Sequence, residues 1–207
     1  MHFSNEEFKK LKELLSEYQW GLAVLMTKLN IIQDDLTTYQ GNNSIEHIAS
    51  RIKSPESIAQ KLYEAGLELT ADNARKHLND VAGVRIITSF GKDVDFLVAL
   101  LRSVPDIYII NEKDFITNPK KSGYRSYHMI IHVPVFHSGA LANVTVEIQL
   151  RTSAMNFWAT LEHKARYKYR DHVPDHLSKE LVLIADKIAE LDNRMYLIHE
   201  ILTLINE

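Results

Sequence analysis

The segment 144–150 constrains the fold of this chain most, because its side chains alternate strictly between apolar and polar. One side carries Val144, Val146, Ile148 and Leu150, and the other side carries Thr145, Glu147 and Gln149. A period of two residues predicts a strand with one buried face and one polar face. Such a strand has to lie in a sheet whose apolar face is covered by another layer of the protein.

Other segments predict the remaining parts of this sheet. Apolar runs predict four more strands, at residues 48–53, 84–88, 107–110 and 127–133. Helices are expected at 54–66, from Thr70 to about Asn79, at 93–103 and after Thr152. Ser54 before Pro55 is a typical helix start, and Gly66 is a typical helix end. The chain is therefore predicted to be an α/β or α+β protein, with a mixed sheet of about five strands flanked by helices.

Both ends of the chain predict long amphipathic helices with apolar residues spaced three and four apart. The first series follows a capping box of Ser4 and Glu7 and consists of Phe8, Leu11, Leu15, Tyr18, Leu22, Leu25, Leu29, Ile32 and Leu36. The second consists of Ile184, Ile188, Leu191, Met195, Ile198, Leu202 and Ile205. Such heptad spacing is typical of a helix–helix seam, so we expect a homo-oligomer joined through these helices. The alternative is that both helices pack only on their own domain.

No internal repeat, low-complexity tract or linker divides the sequence. We therefore expect one domain over residues 1–207, with an N-terminal helix in 1–40, a catalytic core in 45–169 and a C-terminal helix in 175–207.

Composition limits the partners and the location of the protein. The formal net charge of −3 does not favour general binding to DNA, so any anion site has to be local. The sequence has no cysteine, no basic and apolar leader at its start, and no apolar run of the roughly 20 residues that span a bilayer. These features predict a cytoplasmic protein without a membrane partner.

The segment 120–128 is the strongest indication of a binding site. It reads Lys-Lys-Ser-Gly-Tyr-Arg-Ser-Tyr-His, which combines cations, aromatic rings and hydroxyl groups within nine residues. Buried charges are costly unless they are paired, so a core segment does not need this mixture. A site that holds a polyphosphate and stacks a base does need it. The alternative is a solvated basic loop.

Two carboxylates are candidates for a metal site. Asp80 precedes the buried strand 84–88, and Glu147 lies in the middle of the polar face of the strand 144–150. Carboxylates on neighbouring strands can share Mg²⁺, which prefers oxygen ligands and retains phosphate oxygens. The alternatives are a turn or cap role for Asp80 and an exposed position beside a cross-strand cation for Glu147.

Cations around the first strand predict an anion site there. Arg51 and Lys53 leave the same face of that strand, and Ser57 and Lys61 follow in the next helix, whose N-terminus attracts phosphate. Arg85 could join Arg51 to stack on both faces of a purine ring. The alternative is that these are surface cations paired with acids.

Five ordered blocks of this sequence resemble the RelA/SpoT homologue family, in particular its single-domain small alarmone synthetases. The blocks are SRIK at 50–53 with Ser57 and Lys61, DVAGVR at 80–85, SGYRSYH at 122–128, EIQLRT at 147–152 and NFWATLEH at 156–163. The resemblance spans roughly residues 45–169 and includes helices on either side. Several blocks in order are more specific than any single motif.

The resemblance implies a nucleotidyltransferase-like fold and a (p)ppGpp synthetase, that is, a GTP diphosphokinase. Such an enzyme moves the β,γ-pyrophosphate of ATP to the 3′-hydroxyl of GDP or GTP and releases AMP. The resemblance assigns ATP binding to Arg51, Lys53, Ser57, Lys61, Arg85 and His163. It assigns GDP or GTP binding to Lys113, Lys120, Tyr124, His128 and Asn156. Asp80 and Glu147 would be the catalytic residues and Mg²⁺ ligands, and the assembly would be a homotetramer.

Two departures from the family pattern refine this expectation. The sequence has no His-Asp dipeptide, on which the hydrolase domain of long family members is built, so synthesis without hydrolysis is expected. One branch is activated by its own product through an aromatic residue and a lysine, and His47 and Asn30 stand in their places here. The chain is therefore expected to be closer to the branch without product activation. Two rival functions remain, another nucleotidyltransferase-like enzyme and a non-catalytic oligomeric nucleotide-binding protein.

Overall fold

The computed structural model describes residues 3–40, 43–168 and 174–206. Its strands are β1 (Ile45–Ile52), β2 (Ala82–Thr88), β3 (Tyr108–Asp114), β4 (Tyr127–His137) and β5 (Ala140–Thr152). Its helices are α1 (Asn5–Gln40), α2 (Pro55–Glu64), α3 (Ala71–His77), α4 (Gly91–Ser103), α5 (Ser153–Lys168) and α6 (Asp175–Asn206). Residues 1, 2, 169 and 207, which the predicted segments included, lie outside the described residues.

The five strands form one mixed sheet in the order β1-β2-β5-β4-β3. The central pair, β2 and β5, is parallel, and the other three pairs are antiparallel. The predicted fold class, with about five strands and helices around them, is confirmed. The predicted helix starts are also confirmed, since the side chains of Ser4, Ser54 and Thr70 each accept a hydrogen bond from a backbone N–H three residues later.

Helix α1 covers the apolar face of the sheet. Six residues of its predicted seam are buried there in the core of their own chain: Leu11, Tyr18, Leu22, Leu25, Leu29 and Leu36. Gly21 allows the close approach, because a Cβ atom at this position would lie 2.6 Å from a methyl group of Val144 on β5. The apolar stripe of α1 therefore packs within the chain, and it no longer argues for an intersubunit seam.

Helix α6 differs, because most of its apolar residues are exposed. Its inner side contacts α5, where Ala185 is buried and the indole N–H of Trp158 donates to the carbonyl of Leu181 at 3.0 Å. The outer side exposes Leu191, Met195, Ile198, Leu202 and Ile205. We call these five residues the α6 stripe. Among the described residues, no helix is both long enough and apolar enough to cross a membrane.

Strands β4 and β5 are longer than predicted because they form a hairpin. Ser138 and Gly139, both with positive φ (50° and 81°), make its two-residue turn. The prediction ended β4 at Val133, before Pro134, because proline cannot donate in a ladder. Pairing between β3 and β4 stops at His132, so Pro134 lies where β4 has only β5 as a neighbour and no donor is missing. Strand β3 also runs further than predicted and includes Lys113.

Candidate active site

Two rows of paired residues cross all five strands on the face of the sheet opposite α1. The first row runs from β1 to β3 through Ala49, Arg85, Gln149, His128 and Lys113. The second row runs through Arg51, Gly83, Glu147, Ile130 and Asn111. Directly paired residues point to the same face, so the strand register gathers the charged side chains of distant segments in one place.

Two neighbouring cavities open on this face. The β4 cavity, of about 530 Å³, extends over β3, β4 and the segment 115–124. The α5 cavity, of about 490 Å³, extends towards helix α5. Five residues line both cavities: Arg51, Lys61, Asp80, Tyr124 and Gln149. The shared lining means that ligands in the two cavities would meet beside Asp80.

The site residues predicted from the sequence divide between these cavities. Lys113, Lys120, Tyr124, His128 and Glu147 line the β4 cavity. Arg51, Lys53, Lys61, Arg85 and His163 line the α5 cavity. Two predicted residues line neither cavity. Ser57 is exposed in the first turn of α2, and Asn156 lies on α5 with its side-chain Oδ1 buried and without a hydrogen-bond partner among the described residues.

Asp80 lies between two lysines in the segment between α3 and β2. Its Oδ2 accepts a hydrogen bond from Lys53 Nζ at 2.8 Å and a second one from Lys61. Burial by itself would raise the pKa of Asp80, but the bonds from both lysines outweigh it and hold the pKa below its usual value. Burial lowers the pKa of Lys53, and Asp80 offsets part of that effect. Asp80 is thus an ionised carboxylate that holds two lysine ammonium groups where they can bind an incoming anion.

Glu147 is held by its neighbours on β4 and β5. His128 Nδ1 lies 3.0 Å from its Oε1, and Gln149 Nε2 donates to its Oε2 at 2.8 Å. Burial would raise the pKa of Glu147, but the bonds from His128 and Gln149 outweigh burial and lower it. Glu147 is therefore a carboxylate whose orientation is fixed on both oxygens.

Arg51 and Arg85 are suited to hold a flat or anionic ligand. They line a third cavity of about 260 Å³, whose floor includes Gly83. Burial, and then the guanidinium groups of Arg151 and Arg51, lower the pKa of Arg85. Its Nε atom is buried without a hydrogen-bond partner among the described residues. Glu147 offsets only part of the lowering of the pKa of the half-buried Arg85, and an anionic ligand with an aromatic ring would offset more of it.

An aromatic slot lies at the other end of the β4 cavity. The Lys120 ammonium group is 4.7 Å from the ring centre of Phe115 and 5.0 Å from that of Tyr124. The two ring centres are 6.2 Å apart. A cation on two aromatic faces occupies the kind of surface on which a base can stack.

The carboxylates fit Mg²⁺ in its usual setting beside phosphate. Asp80 and Glu147 both line the β4 cavity, and the charge of Asp80 acts on Glu147. Within the described ranges, no group of three or more His, Asp or Glu side chains could hold a metal by itself. Two carboxylates with substrate phosphates completing the coordination are the donor set that Mg²⁺ prefers.

Three residues of the site were not among the predicted site residues. Gln149 and Arg151 follow Glu147 on the same face of β5, and Phe115 lies just after β3. The alternation of 144–150 already placed Gln149 beside Glu147, and its extension by two residues would have found Arg151. For Phe115 the sequence had no such signal, because its ring comes to the cavity through the path of the segment after β3.

Comparison with known proteins gives consistent matches. A family profile described as "Region found in RelA / SpoT proteins" matches residues 50–172. The GTP pyrophosphokinase YwaC of Bacillus subtilis is 44% identical over 184 residues, which cover 89% of this chain and 88% of that protein. The GTP pyrophosphokinase YjbM of the same organism is 33% identical, with 90% and 87% covered.

Solved structures agree with these sequence matches. Small alarmone synthetase 1 from Bacillus subtilis, bound to its product pppGpp, superposes with a TM-score of 0.86 at 31% identity, covering 93% of this chain and 97% of that one. Small alarmone synthetase 2 from the same organism gives 0.82 at 43% identity, covering 91% and 97%. A structure of synthetase 1 bound to AMPCPP gives 0.78 at 28% identity, covering 94% and 98%.

Proposed function

The chain belongs to the RelA/SpoT family, and from that premise we propose that it is a GTP pyrophosphokinase that synthesises (p)ppGpp. It transfers pyrophosphate from ATP to the 3′-hydroxyl of GDP or GTP and releases AMP. The observation that carries this function is the pair of cation-lined cavities that share Asp80, Lys61 and Tyr124. A transfer between two nucleotides requires two such sites in contact.

The relatives support both halves of this reaction. Two Bacillus subtilis proteins that match most of the chain are named GTP pyrophosphokinases. Related small alarmone synthetases have been solved with pppGpp and with AMPCPP, an ATP analogue. These ligands correspond to the product side and the donor side of the proposed transfer.

We assign ATP to the α5 cavity. Arg51 and Arg85 stack on the adenine, and Lys53, Lys61 and Ser57 bind the phosphates, with His163 beside them. The half-buried guanidinium of Arg85, whose Nε has no hydrogen-bond partner among the described residues, and the two lysines on Asp80 support this assignment. Ser57 has the weakest support, because it is exposed outside the cavity lining.

We assign GDP or GTP to the β4 cavity. Tyr124 stacks on the guanine, Lys120 leaves the aromatic slot to meet the phosphates, and Lys113 binds phosphate or ribose. His128 is assigned to phosphate or ribose with less support, because both of its ring nitrogens are hydrogen-bonded to Tyr124 and Glu147. The slot between Phe115 and Tyr124 supports the base position. Asn156 is assigned to the base as well, and its buried Oδ1 without a partner is compatible with a ligand contact.

Glu147 orients the 3′-hydroxyl and accepts its proton during the transfer. The hydroxyl oxygen forms a bond to the β-phosphorus of ATP, and the bond from that phosphorus to the bridging oxygen of AMP breaks. Asp80 and Glu147 would hold Mg²⁺, which neutralises phosphate charge when it is bound. Much of the rate then comes from positioning and charge neutralisation, as is general for phosphoryl transfer.

The proposal extends to the setting of the enzyme. It works in the cytoplasm, where its nucleotide substrates occur, as a homotetramer with a single catalytic domain centred on 45–169. The aromatic slot at Tyr124 argues against a nucleotidyltransferase-like enzyme with another acceptor, because such an enzyme needs no surface for stacking guanine. The presence of both Asp80 and Glu147 argues against a non-catalytic binding protein, which needs neither carboxylate.

The test is the dependence of AMP release on the acceptor. The protein is incubated with ATP and Mg²⁺, with GDP, with GTP, or with 3′-deoxy-GDP. We expect AMP only with the acceptors that carry a 3′-hydroxyl. AMP release without any acceptor, or equally fast with 3′-deoxy-GDP, would contradict the proposal.

A further inference from the structure

Glu147 and four other side chains form a closed ring of hydrogen bonds. His128 Nδ1 is 3.0 Å from Glu147 Oε1, and His128 Nε2 is 2.7 Å from the Tyr124 hydroxyl. Arg151 Nη2 donates to that hydroxyl at 2.7 Å and to Gln149 Oε1 at 2.8 Å. Gln149 Nε2 closes the ring on Glu147 Oε2 at 2.8 Å.

Arg151 sets the direction of the two bonds that it makes in this ring. A guanidinium group only donates, and the two hydrogens of Nη2 are used by Tyr124 and Gln149. The Tyr124 hydroxyl accepts one of them and shares a second hydrogen bond with His128 Nε2. The Glu147 carboxylate only accepts, so His128 Nδ1 carries the proton that faces it. The amide oxygen of Gln149 accepts the other hydrogen of Nη2, so its nitrogen faces Glu147. The ring thus has two arms that lead from Arg151 to Glu147, one through Tyr124 and His128 and the other through Gln149. Each arm ends in an N–H group that donates to one oxygen of the Glu147 carboxylate.

The surroundings of Arg151 are unusual for a structural arginine. The residue is only 5% exposed, and its buried Nε has no hydrogen-bond partner in the part of the chain that the structure describes. Among the described residues, no carboxylate forms an ion pair with it. Its guanidinium carbon instead lies 5.0 Å from the ring centre of Tyr124. A buried arginine is normally paired with an acid. Arg151 instead donates to two neutral groups, the Tyr124 hydroxyl and the Gln149 amide oxygen, which indicates that its role is to orient them.

We propose that Arg151 and Gln149 are positioning residues for the transfer. Arg151 acts through the Tyr124–His128 arm and the Gln149 arm, and together the arms fix the plane of the Glu147 carboxylate that faces the 3′-hydroxyl. The inference rests on the proposed function. A displacement of about 1 Å at such a group can cost about a hundredfold in rate, so loss of an arm lowers kcat more than it weakens substrate binding.

Tyr124→Phe tests the first arm, because it keeps the aromatic ring and removes the hydroxyl. We expect kcat to fall at least about tenfold, while the KM for GDP changes less than about twofold because ring stacking is retained. Thr145→Val, on the same face of β5 but outside the ring, is the matched control and keeps wild-type kinetics. An unchanged kcat in Tyr124→Phe would overturn the role of this arm.

Arg151→Lys and Gln149→Glu test the centre and the second arm. Gln149→Glu keeps the bond from Arg151 but places a carboxylate against Glu147, so kcat should fall while ATP binding, measured by calorimetry, stays within about twofold. Arg151→Lys should lower kcat about a hundredfold. Adding Tyr124→Phe to it should lower kcat less than twofold further, because Arg151→Lys has already broken the Tyr124–His128 arm.

A different role for Arg151 would give a different result. Arg151 lines the α5 cavity, so a direct ligand of ATP is the main alternative. A tenfold weaker ATP affinity in Arg151→Lys with an unchanged kcat at saturating ATP would overturn the inference. A folded wild-type protein without GDP-dependent AMP release would overturn the proposed function as well, whereas an active wild type with unaffected variants would overturn this inference alone.

Discussion

At the scale of single residues, charge compensation decides what Asp80 can do. Its carboxylate holds the ammonium groups of Lys53 and Lys61 in place, and both cations can turn to phosphate when a nucleotide arrives. The same carboxylate is the first candidate for Mg²⁺. The negative charge of Asp80 therefore has two roles: it positions the two lysines before the nucleotide binds, and it would bind Mg²⁺.

Asp80→Asn removes this charge and retains the shape of the side chain. We expect kcat for AMP release to fall by at least about a hundredfold, which corresponds to about 2.7 kcal/mol of transition-state stabilisation. The variant should remain folded with a slightly lower melting temperature, since Lys53 loses its counter-ion. Asp95→Asn, at an exposed position of α4, is the control and should retain full activity. Normal turnover by Asp80→Asn at saturating Mg²⁺ would refute the role of Asp80.

The residue types of the site were predictable from their chemistry, but their division between two sites came from the family resemblance alone. Short polar blocks identified Arg51, Lys53, Asp80, Arg85 and Glu147 from chemistry alone. Their grouping depends on strand register, which pairs residues as distant in sequence as Arg51 and Gly83, or Lys113 and His128. The hydrogen bonds that fix Glu147 depend on side-chain directions in the same register, so spacing along one strand could not reveal them.

At the scale of elements, the segment that carries Tyr124 is docked on helix α6. Gly123 has φ of +88°, and a Cβ there would lie 2.7 Å from the Cβ of Ala185. Arg125 also donates to Asp186 of α6 at 3.0 Å. Because the turn at Gly123 leaves no space for a side chain, the position of Tyr124 depends on this contact.

Gly123→Ala should therefore weaken acceptor binding. The added methyl group separates the segment from α6, so we expect the KM for GDP to rise at least about fivefold while the KM for ATP changes little. Gly139→Ala is a matched control, with φ of +81° and no atom within 4 Å of the added Cβ. Steady-state kinetics with each substrate varied would show the difference. Equal effects of the two substitutions would mean that backbone strain alone is responsible.

Asp192 gives α6 a dependence on pH. The Thr152 hydroxyl donates to its Oδ2 at 2.6 Å, but burial dominates and raises the pKa of Asp192 above its usual value. Between the unfolded and folded pKa values the folded state binds more protons, so stability falls as pH rises through that window. Above this pH window, the buried ionised carboxylate of Asp192 lowers the stability of the folded protein, and a neutral amide at the same position would not.

Asp192→Asn should then stabilise the protein at pH 7, by about 1–2 °C in melting temperature for a chain of this size. The gain should shrink as the pH is lowered through the raised pKa of the folded state, and it should vanish well below the usual aspartate pKa, where Asp192 is protonated in both states. Thermal unfolding across this range measures the effect. Glu190→Gln, at an exposed position of α6, should show no comparable gain. A gain that does not depend on pH would exclude ionisation as its cause.

The two terminal helices show how far periodicity can predict. Their apolar spacings are alike, and both were predicted as long helices. Leu25 of α1 nevertheless lies fully buried against the sheet, whereas Ile198 of α6 is exposed. Periodicity defines the apolar face of a helix, but the element that covers this face depends on the path of the whole chain.

At the scale of the whole molecule, one face of the sheet packs in the hydrophobic core and the other face carries the candidate active site. Helix α1 closes the apolar face, and the opposite face presents the two rows of paired residues that carry the charged groups of the site. The α6 stripe is left over, since no other described element covers it. Apolar surface of this extent usually marks an interface, and a homo-oligomer joined through α6 would bury it.

Ile198→Glu tests this assembly. A charge in the α6 stripe should lower the oligomeric state, measured by light scattering at micromolar concentration, because it would be buried without a partner. Lys187→Glu, at an exposed position outside the stripe, should leave the assembly intact. Leu25→Glu would instead destabilise the fold itself. A wild-type protein that is monomeric under these conditions would contradict the prediction.

The central claim is that two nucleotides meet at Asp80 and Glu147 so that pyrophosphate is transferred as a unit. The most direct test supplies ATP labelled on both the β- and γ-phosphates, with GDP and Mg²⁺, and identifies the products. The account predicts a guanine nucleotide with both labels on its 3′-oxygen and equimolar unlabelled AMP. Transfer of the γ label alone, with ADP as the second product, would contradict it.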